Sequence, residues 1–170
     1  LVWVTTGLLV VGGALAFFAM LRGGALADLT TGEAWLAATF QSVTARTAGF
    51  NTIDTAAVGG GAVVLLMLLM LVGASPGSTG GGLRTTTVAV LVLFTAAMLR
   101  GHNRVDVFGR TLTDATVQRA LVVLVVGLGT VAVCTMALAR AEGVGTAGAP
   151  SLLDVAFEAV SAFATVGLSR

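Results

Sequence analysis

Apolar residues fall in long runs along this chain, and polar ones gather in the short stretches between them. Residues 1–21 are apolar except for Thr5 and Thr6. At ~1.5 Å per residue a helix of that length reaches ~30 Å, the thickness of a hydrocarbon core. Residues 119–140 form a second such run, closed at its ends by Arg119 and Arg140, whose charged heads can reach the two interfaces. Residues 56–72 and 83–99 are also apolar, and ten residues reading GASPGSTGGG separate them. This pattern predicts an all-α membrane protein. For residues 1–21 a secretory leader is the alternative, since Ala25-Leu26-Ala27 imitates a cleavage site, but the run lacks the basic start of a leader.

Two helices of a different kind lie between the long runs. Thr30 and Glu33 stand in capping-box spacing and open a helix over residues 33–45; Ser151 and Asp154, after Pro150, open another over 152–164. Each reaches ~20 Å, too short to cross a bilayer. Each also runs into the same small-residue loop. FQSVTARTAGFN (40–51) and FEAVSAFATVGLS (157–169) share a design, with one residue of slack, so that Thr47-Ala48-Gly49-Phe50-Asn51 lies over Thr165-Val166-Gly167-Leu168-Ser169. Glycine lets consecutive carbonyls turn to one side, which suits replacement of a cation's water shell. Non-helical backbone at membrane depth is tolerated only where protein buries it or water reaches it, so the two loops are expected to line a pore. An interfacial helix followed by an ordinary loop is the plainer alternative.

Residues 73–82 allow two arrangements. They form a hairpin turn outside the bilayer, or they interrupt one inner helix within it. Residues 100–119 carry Arg100, Arg104, Arg110, Arg119 and His102 against Asp106 and Asp114, whereas Asp28, Glu33, Asp54, Glu142, Asp154 and Glu158 flank the two loops against Arg22, Arg46 and Arg140. Basic loops stay in the cytoplasm, so the glycine loops should face outward, where the surplus of acids would draw cations in. A hairpin at 73–82 would put both regions on one side, against this asymmetry.

The order SVTARTAGFNTID, LVGASPGSTGGGLRTTT, FEAVSAFATVGLS resembles the membrane subunit of the Trk/Ktr/HKT superfamily of potassium transporters over nearly the whole chain. The resemblance implies repeated units of outer helix, re-entrant pore helix with its filter, and inner helix, forming a potassium-channel-like pore. Residues 1–99 would be the third unit: outer helix 1–21, pore helix 33–45, filter 47–51, and inner helix 56–72 and 83–99 broken by an intramembrane gate loop at 73–82. Residues 100–118 would be a cytoplasmic connection. Residues 119–170 would start the fourth unit, with outer helix 119–140, pore helix 152–164 and filter 165–169. The chain would then be a fragment, lacking the inner helix that supports the second filter. Also implied are potassium uptake down its gradient in a bacterial plasma membrane, with sodium coupling left open, the remaining units of the same subunit, a homodimer, and a cytosolic nucleotide-binding ring that controls the gate.

The site residues expected on this reading are the ten filter positions, Thr47, Ala48, Gly49, Phe50, Asn51, Thr165, Val166, Gly167, Leu168 and Ser169, binding potassium through backbone carbonyls. The gate loop would use Gly73, Ser75, Pro76, Gly77, Ser78, Thr79, Gly80, Gly81 and Gly82, with Arg84 either a cationic barrier or a marker of the inner half-helix facing a vestibule. With one glycine per filter, fewer carbonyl rings form than in a TVGYG filter, which predicts looser discrimination against sodium. Arg46 is a charge at membrane depth, costly unless paired. It is expected to contact carbonyls or an acid behind the filter, Glu158 being the candidate, or else to act on the ion directly.

Composition narrows the alternatives. The chain is 56% hydrophobic and 10% charged with a net charge of +1 and no lysine, which excludes a nucleic-acid partner and makes lipid the surroundings. Cys134 is read as a small core residue, and His102 has no ligand partner at metal spacing. Residues 77–82 suggest a phosphate loop, but Leu83 stands where that motif needs Lys. Neither paired carboxylates nor a nucleophile elbow points to an enzyme, and the chain calls for no cofactor beyond the ion. The rivals to a pore are a structural membrane protein with glycine-packed helices and a secondary transporter with broken helices. The repeated loop, against a single helix interruption, favours the pore.

Overall fold

The computed structural model describes residues 2–24, 26–27, 29–46, 48–50, 58–73, 80–101, 106–107, 110–111, 114–146 and 148–169. Among the described residues, six helices carry the fold: α1 (Val2–Leu21), α2 (Thr31–Thr44), α3 (Gly60–Leu71), α4 (Thr85–Leu99), α5 (Asp114–Ala141) and α6 (Leu152–Ala164). A two-residue antiparallel pairing, β1 (Asp106–Val107) with β2 (Arg110–Thr111), lies between α4 and α5. The remaining filter and gate positions, Thr47, Asn51, Ser75, Pro76, Gly77, Ser78 and Thr79, lie outside the described residues, as do His102 and Arg104.

Local chemistry sets the element ends. Both capping boxes form: the Glu33 amide donates to the Thr30 hydroxyl and the Glu33 carboxylate accepts from the Thr30 amide, and Ser151 with Asp154 repeats the arrangement. Helix α3 starts at Gly60 rather than at residue 56, because Val58 and Gly59 are not helical and glycines propagate a helix poorly. Helix α5 starts at Asp114, within the expected 100–118 connection, since apolarity does not decide where a helix begins.

Contacts between helices assign each a depth. A Cβ on Gly61 would meet Met20 Cε at 2.8 Å, and one on Gly13 would meet Leu69 Cδ1 at 3.0 Å, so α3 runs antiparallel to α1. A Cβ on Gly60 would touch Leu153 at 3.7 Å, which brings the start of α6 to the level of the start of α3. Phe18 stacks on Trp35 with ring centroids 4.3 Å apart, and the Arg22 guanidinium lies over the Phe18 ring at 4.9 Å. The end of α1 and the starts of α2, α3 and α6 therefore share one face, with aromatic rings suited to an interface. The ends of α2 and α6 lie deeper. Ser42 reaches α1 beside Gly13, and Phe163 reaches α5 beside Gly127, each near the middle of its long helix.

Helix α1 packs against both α3 and α4, whereas among the described residues α3 and α4 do not pack extensively along one another as the arms of a hairpin would. The core gathers Phe17, Leu66, Met70, Phe157 and Ala164 between α1, α2, α3 and α6. A smaller cluster of Val90, Val117 and Ala120 joins α4 to α5. Among the described residues, α1 and α5 are long and apolar enough to cross a membrane. Helix α5 exposes Val122, Val125, Val126, Val133 and Met136 along its length, a surface that lipid or further helices can cover and water cannot solvate cheaply. Cys134 is exposed on this helix, not in a core as expected from its apolar surroundings in sequence.

Candidate functional site

The two loops that follow α2 and α6 meet. Gly49 (φ +70°) and Gly167 (φ +81°) both take the left-handed backbone that favours glycine. The Val166 carbonyl occupies the place where a Cβ on Gly49 would stand, so the first loop approaches the second backbone to backbone. Among the described residues no atom comes within 4 Å of a Cβ built on Gly167. Ala48 and Phe50 are exposed, and the Val166 and Leu168 side chains are buried beneath the second loop. Thr165 ends α6 in the left-handed region, at φ 54° and ψ 35°, the one non-glycine residue there among those described.

Both loops are tied to their helices by hydroxyls that sequence reasoning left without a role. The Phe50 amide donates to Thr44 Oγ1 at 2.9 Å, and that hydroxyl donates to the Phe50 carbonyl at 2.8 Å. In the second copy Ser161 Oγ donates to the Leu168 carbonyl at 2.6 Å. The signal was present as the shared Ser/Thr-Ala step of the repeat, and only the fold shows what it holds. A third hydroxyl, on Ser42, donates to the Val10 carbonyl of α1 at 2.9 Å and anchors the end of α2. Ser42, Thr44 and Ser161 are all buried.

The end of the glycine-rich segment, residues 80–82, lies directly behind the second loop. The Gly81 amide donates to Thr165 Oγ1 at 2.7 Å, and a Cβ on Gly81 would meet the Phe163 carbonyl at 2.6 Å. Gly82 has φ +80° and sits against the Leu71 and Met70 carbonyls. The Leu83 amide donates to the Leu71 carbonyl at 2.8 Å, which closes the segment on itself at the base. Leu83 also lies beside Gly127, the middle of α5. Arg84 is exposed and caps α4 without a side-chain bond.

Arg46 Nη1 donates to the Thr6 carbonyl of α1 at 3.4 Å, a carbonyl contact behind the loop. Its Nε and the Thr6 hydroxyl are buried without a hydrogen-bond partner among the described residues. Among the described residues no group of three His, Cys, Asp or Glu could hold a metal ion.

The family model described as TrkH, a cation transport protein, matches residues 1–170. The chain is 38% identical over 168 residues to the Ktr system potassium uptake protein B of Vibrio alginolyticus, covering 98% of this chain and 36% of that protein. It is 40% identical over 166 residues to the potassium/sodium uptake protein NtpJ of Enterococcus hirae, covering 96% and 36%. The crystal structure of the potassium transporter TrkH from Vibrio parahaemolyticus superimposes with a TM-score of 0.77 at 24% identity, covering 99% of this chain and 37% of that one, which shows the shared fold. The chain thus spans about a third of the length of the curated relatives it matches.

Proposed function

The chain belongs to the TrkH cation transport family, and on that premise we propose that it forms part of the pore of a potassium uptake protein in a bacterial plasma membrane. The observation that carries this reading is the meeting of two glycine loops, each at the end of a helix too short to cross, with the Val166 carbonyl against Gly49. Helices α2 and α6 act as re-entrant pore helices, and residues 47–51 and 165–169 as filters that replace a cation's hydration with carbonyl oxygens. Residues 1–99 serve as a third unit, and 119–170 as the start of a fourth, with the connection between them cytoplasmic and the filters outward. The helix break at the level of Gly127 supports an intramembrane gate loop over residues 73–82, since α3 and α4 together run along α1 and do not fold back on each other. The rest of the subunit, a second copy in a homodimer and a cytosolic nucleotide-binding ring complete the assembly. Sodium enters as a competing or coupled ion, because single-glycine filters present few carbonyl rings.

The test uses the full-length protein that bears this segment. It is expected to restore growth of potassium-uptake-deficient bacteria at low potassium, and to carry rubidium after purification and reconstitution. Reconstituted protein that moves neither potassium nor rubidium would sink the reading.

A further inference from the structure

We infer that Thr44 and Ser161 are positioning residues that decide which carbonyls of the two loops can serve as cation ligands, a step that rests on the pore reading above. Thr44 and Ser161 occupy equivalent places in the repeat, as do Phe50 and Leu168, and in both copies the hydroxyl of the first holds the carbonyl of the second, at 2.8 and 2.6 Å. A carbonyl that accepts a buried hydroxyl from the helix behind it is turned toward that helix. The Phe50 and Leu168 carbonyls are therefore removed from the expected ligand set.

Peptide planarity carries the argument further. In a trans peptide the N–H and the preceding C=O point in opposite directions. The Phe50 amide aims at Thr44 Oγ1, so the Gly49 carbonyl points away from α2. The Gly49 amide donates to the Thr44 carbonyl at 3.3 Å, so the Ala48 carbonyl points away as well. In the second copy the Val166 amide donates to the Ser161 carbonyl at 3.1 Å, which turns the Thr165 carbonyl away from that helix, and the Val166 carbonyl faces Gly49. One residue at the end of each short helix thus orients its loop through both its carbonyl and its hydroxyl. Ala48, Gly49, Thr165 and Val166 keep the carbonyls free of the helices. Thr44 and Ser161 are 1% and 3% exposed, so water cannot replace either hydroxyl once it is removed.

The experiment measures rubidium flux and rubidium-over-sodium discrimination in reconstituted full-length protein carrying Thr44→Val or Ser161→Ala. Both are expected to carry ions, with discrimination reduced roughly threefold to tenfold in Ser161→Ala, the worth of one buried hydrogen bond, and further in Thr44→Val, which loses both the bond from the Phe50 amide and the bond to the Phe50 carbonyl. Thr44→Ser and Ser161→Thr, which keep a hydroxyl, should restore it. Where loss of the hydroxyl prevents insertion, Thr44→Cys and Ser161→Cys keep volume with a weaker donor and should show an intermediate ratio. Wild-type discrimination in the valine, alanine or cysteine variants overturns the assignment of the two hydroxyls. A wild-type protein without rubidium flux overturns the pore reading beneath it, so the two failures are told apart.

Discussion

The amide of Gly81 donates to the hydroxyl of Thr165 at 2.7 Å, joining the break between α3 and α4 to the first residue of the second loop. Thr165 is β-branched and stands at φ 54°, a conformation that costs an L-residue about 1–2 kcal/mol. Cap bonds from its own amide to the Ala162 and Ser161 carbonyls hold it there from one side, and Gly81 holds it from the other. A change in the glycine segment is thereby felt at the loop through a single side chain, the Thr165 hydroxyl.

Thr165→Val keeps the branched shape and deletes the acceptor. The lost bond should weaken the docking of residues 80–82 by about 1 kcal/mol, read as roughly fivefold faster amide hydrogen exchange at Gly81 in the full-length protein. Thr165→Ser should leave exchange near the wild-type rate. Equal rates in all three proteins would mean that the bond does not hold the segment.

The two loop glycines are predicted to differ although their sequence settings match. Gly49→Ala meets both the left-handed backbone and the Val166 carbonyl, whereas Gly167→Ala meets the backbone penalty alone, about 1 kcal/mol. Gly49→Ala should therefore lose more rubidium flux and more sodium discrimination than Gly167→Ala, with membrane insertion intact in both. A larger loss at Gly167, or no loss at either, would contradict this geometry.

The difference between those glycines marks what could be read in advance. Capping residues, apolar runs and the loop repeat are local, and they sufficed for the six helices among the described residues and for placing a glycine, Gly49 or Gly167, after each short helix. Which glycine is crowded depends on a neighbour more than a hundred residues away, and no spacing rule reports that. The Thr44 and Ser161 straps were visible as a conserved step between the two copies within this chain, but a buried serine or threonine near a helix end has many uses. Cys134 was misplaced for the same reason, since apolar neighbours in sequence do not distinguish a core-facing position from an exposed one on a helix as apolar as α5.

Helix α1 gives a test of the packing that sets the depth of the loops. A Cβ on Gly13 would run into Ser42 Oγ, whereas one on Gly12 meets nothing within 4 Å. Gly13→Val should push Ser42 off the Val10 carbonyl and cost about 1–3 kcal/mol, seen as a lower unfolding midpoint of the detergent-solubilised protein. Gly12→Val should stay near the wild-type midpoint. A pair of variants with equal midpoints would refute this α1–α2 contact.

The last prediction concerns the segment between α3 and α4. Its base is already joined, by the Leu83 amide on the Leu71 carbonyl and by Gly73, whose Cβ would stand 3.1 Å from the Gly81 carbonyl. A loop whose ends touch can lose residues from its middle without pulling its helices apart, and the closure entropy changes by only a few tenths of a kcal/mol. Deleting residues 75–78 should therefore leave the unfolding midpoint within a few degrees of wild type. In the gate reading it should also raise rubidium flux and weaken its dependence on the cytosolic regulator, because less backbone remains in the ion path. If the segment were a turn outside the bilayer, the same deletion would leave flux and its regulation as in the wild type. Cysteines at Ser75 or Thr79 separate the two arrangements independently. Aqueous thiol reagents should reach them from the cytoplasmic side, faster when the transporter is activated, and modification from outside alone at a constant rate would show that the segment is no gate.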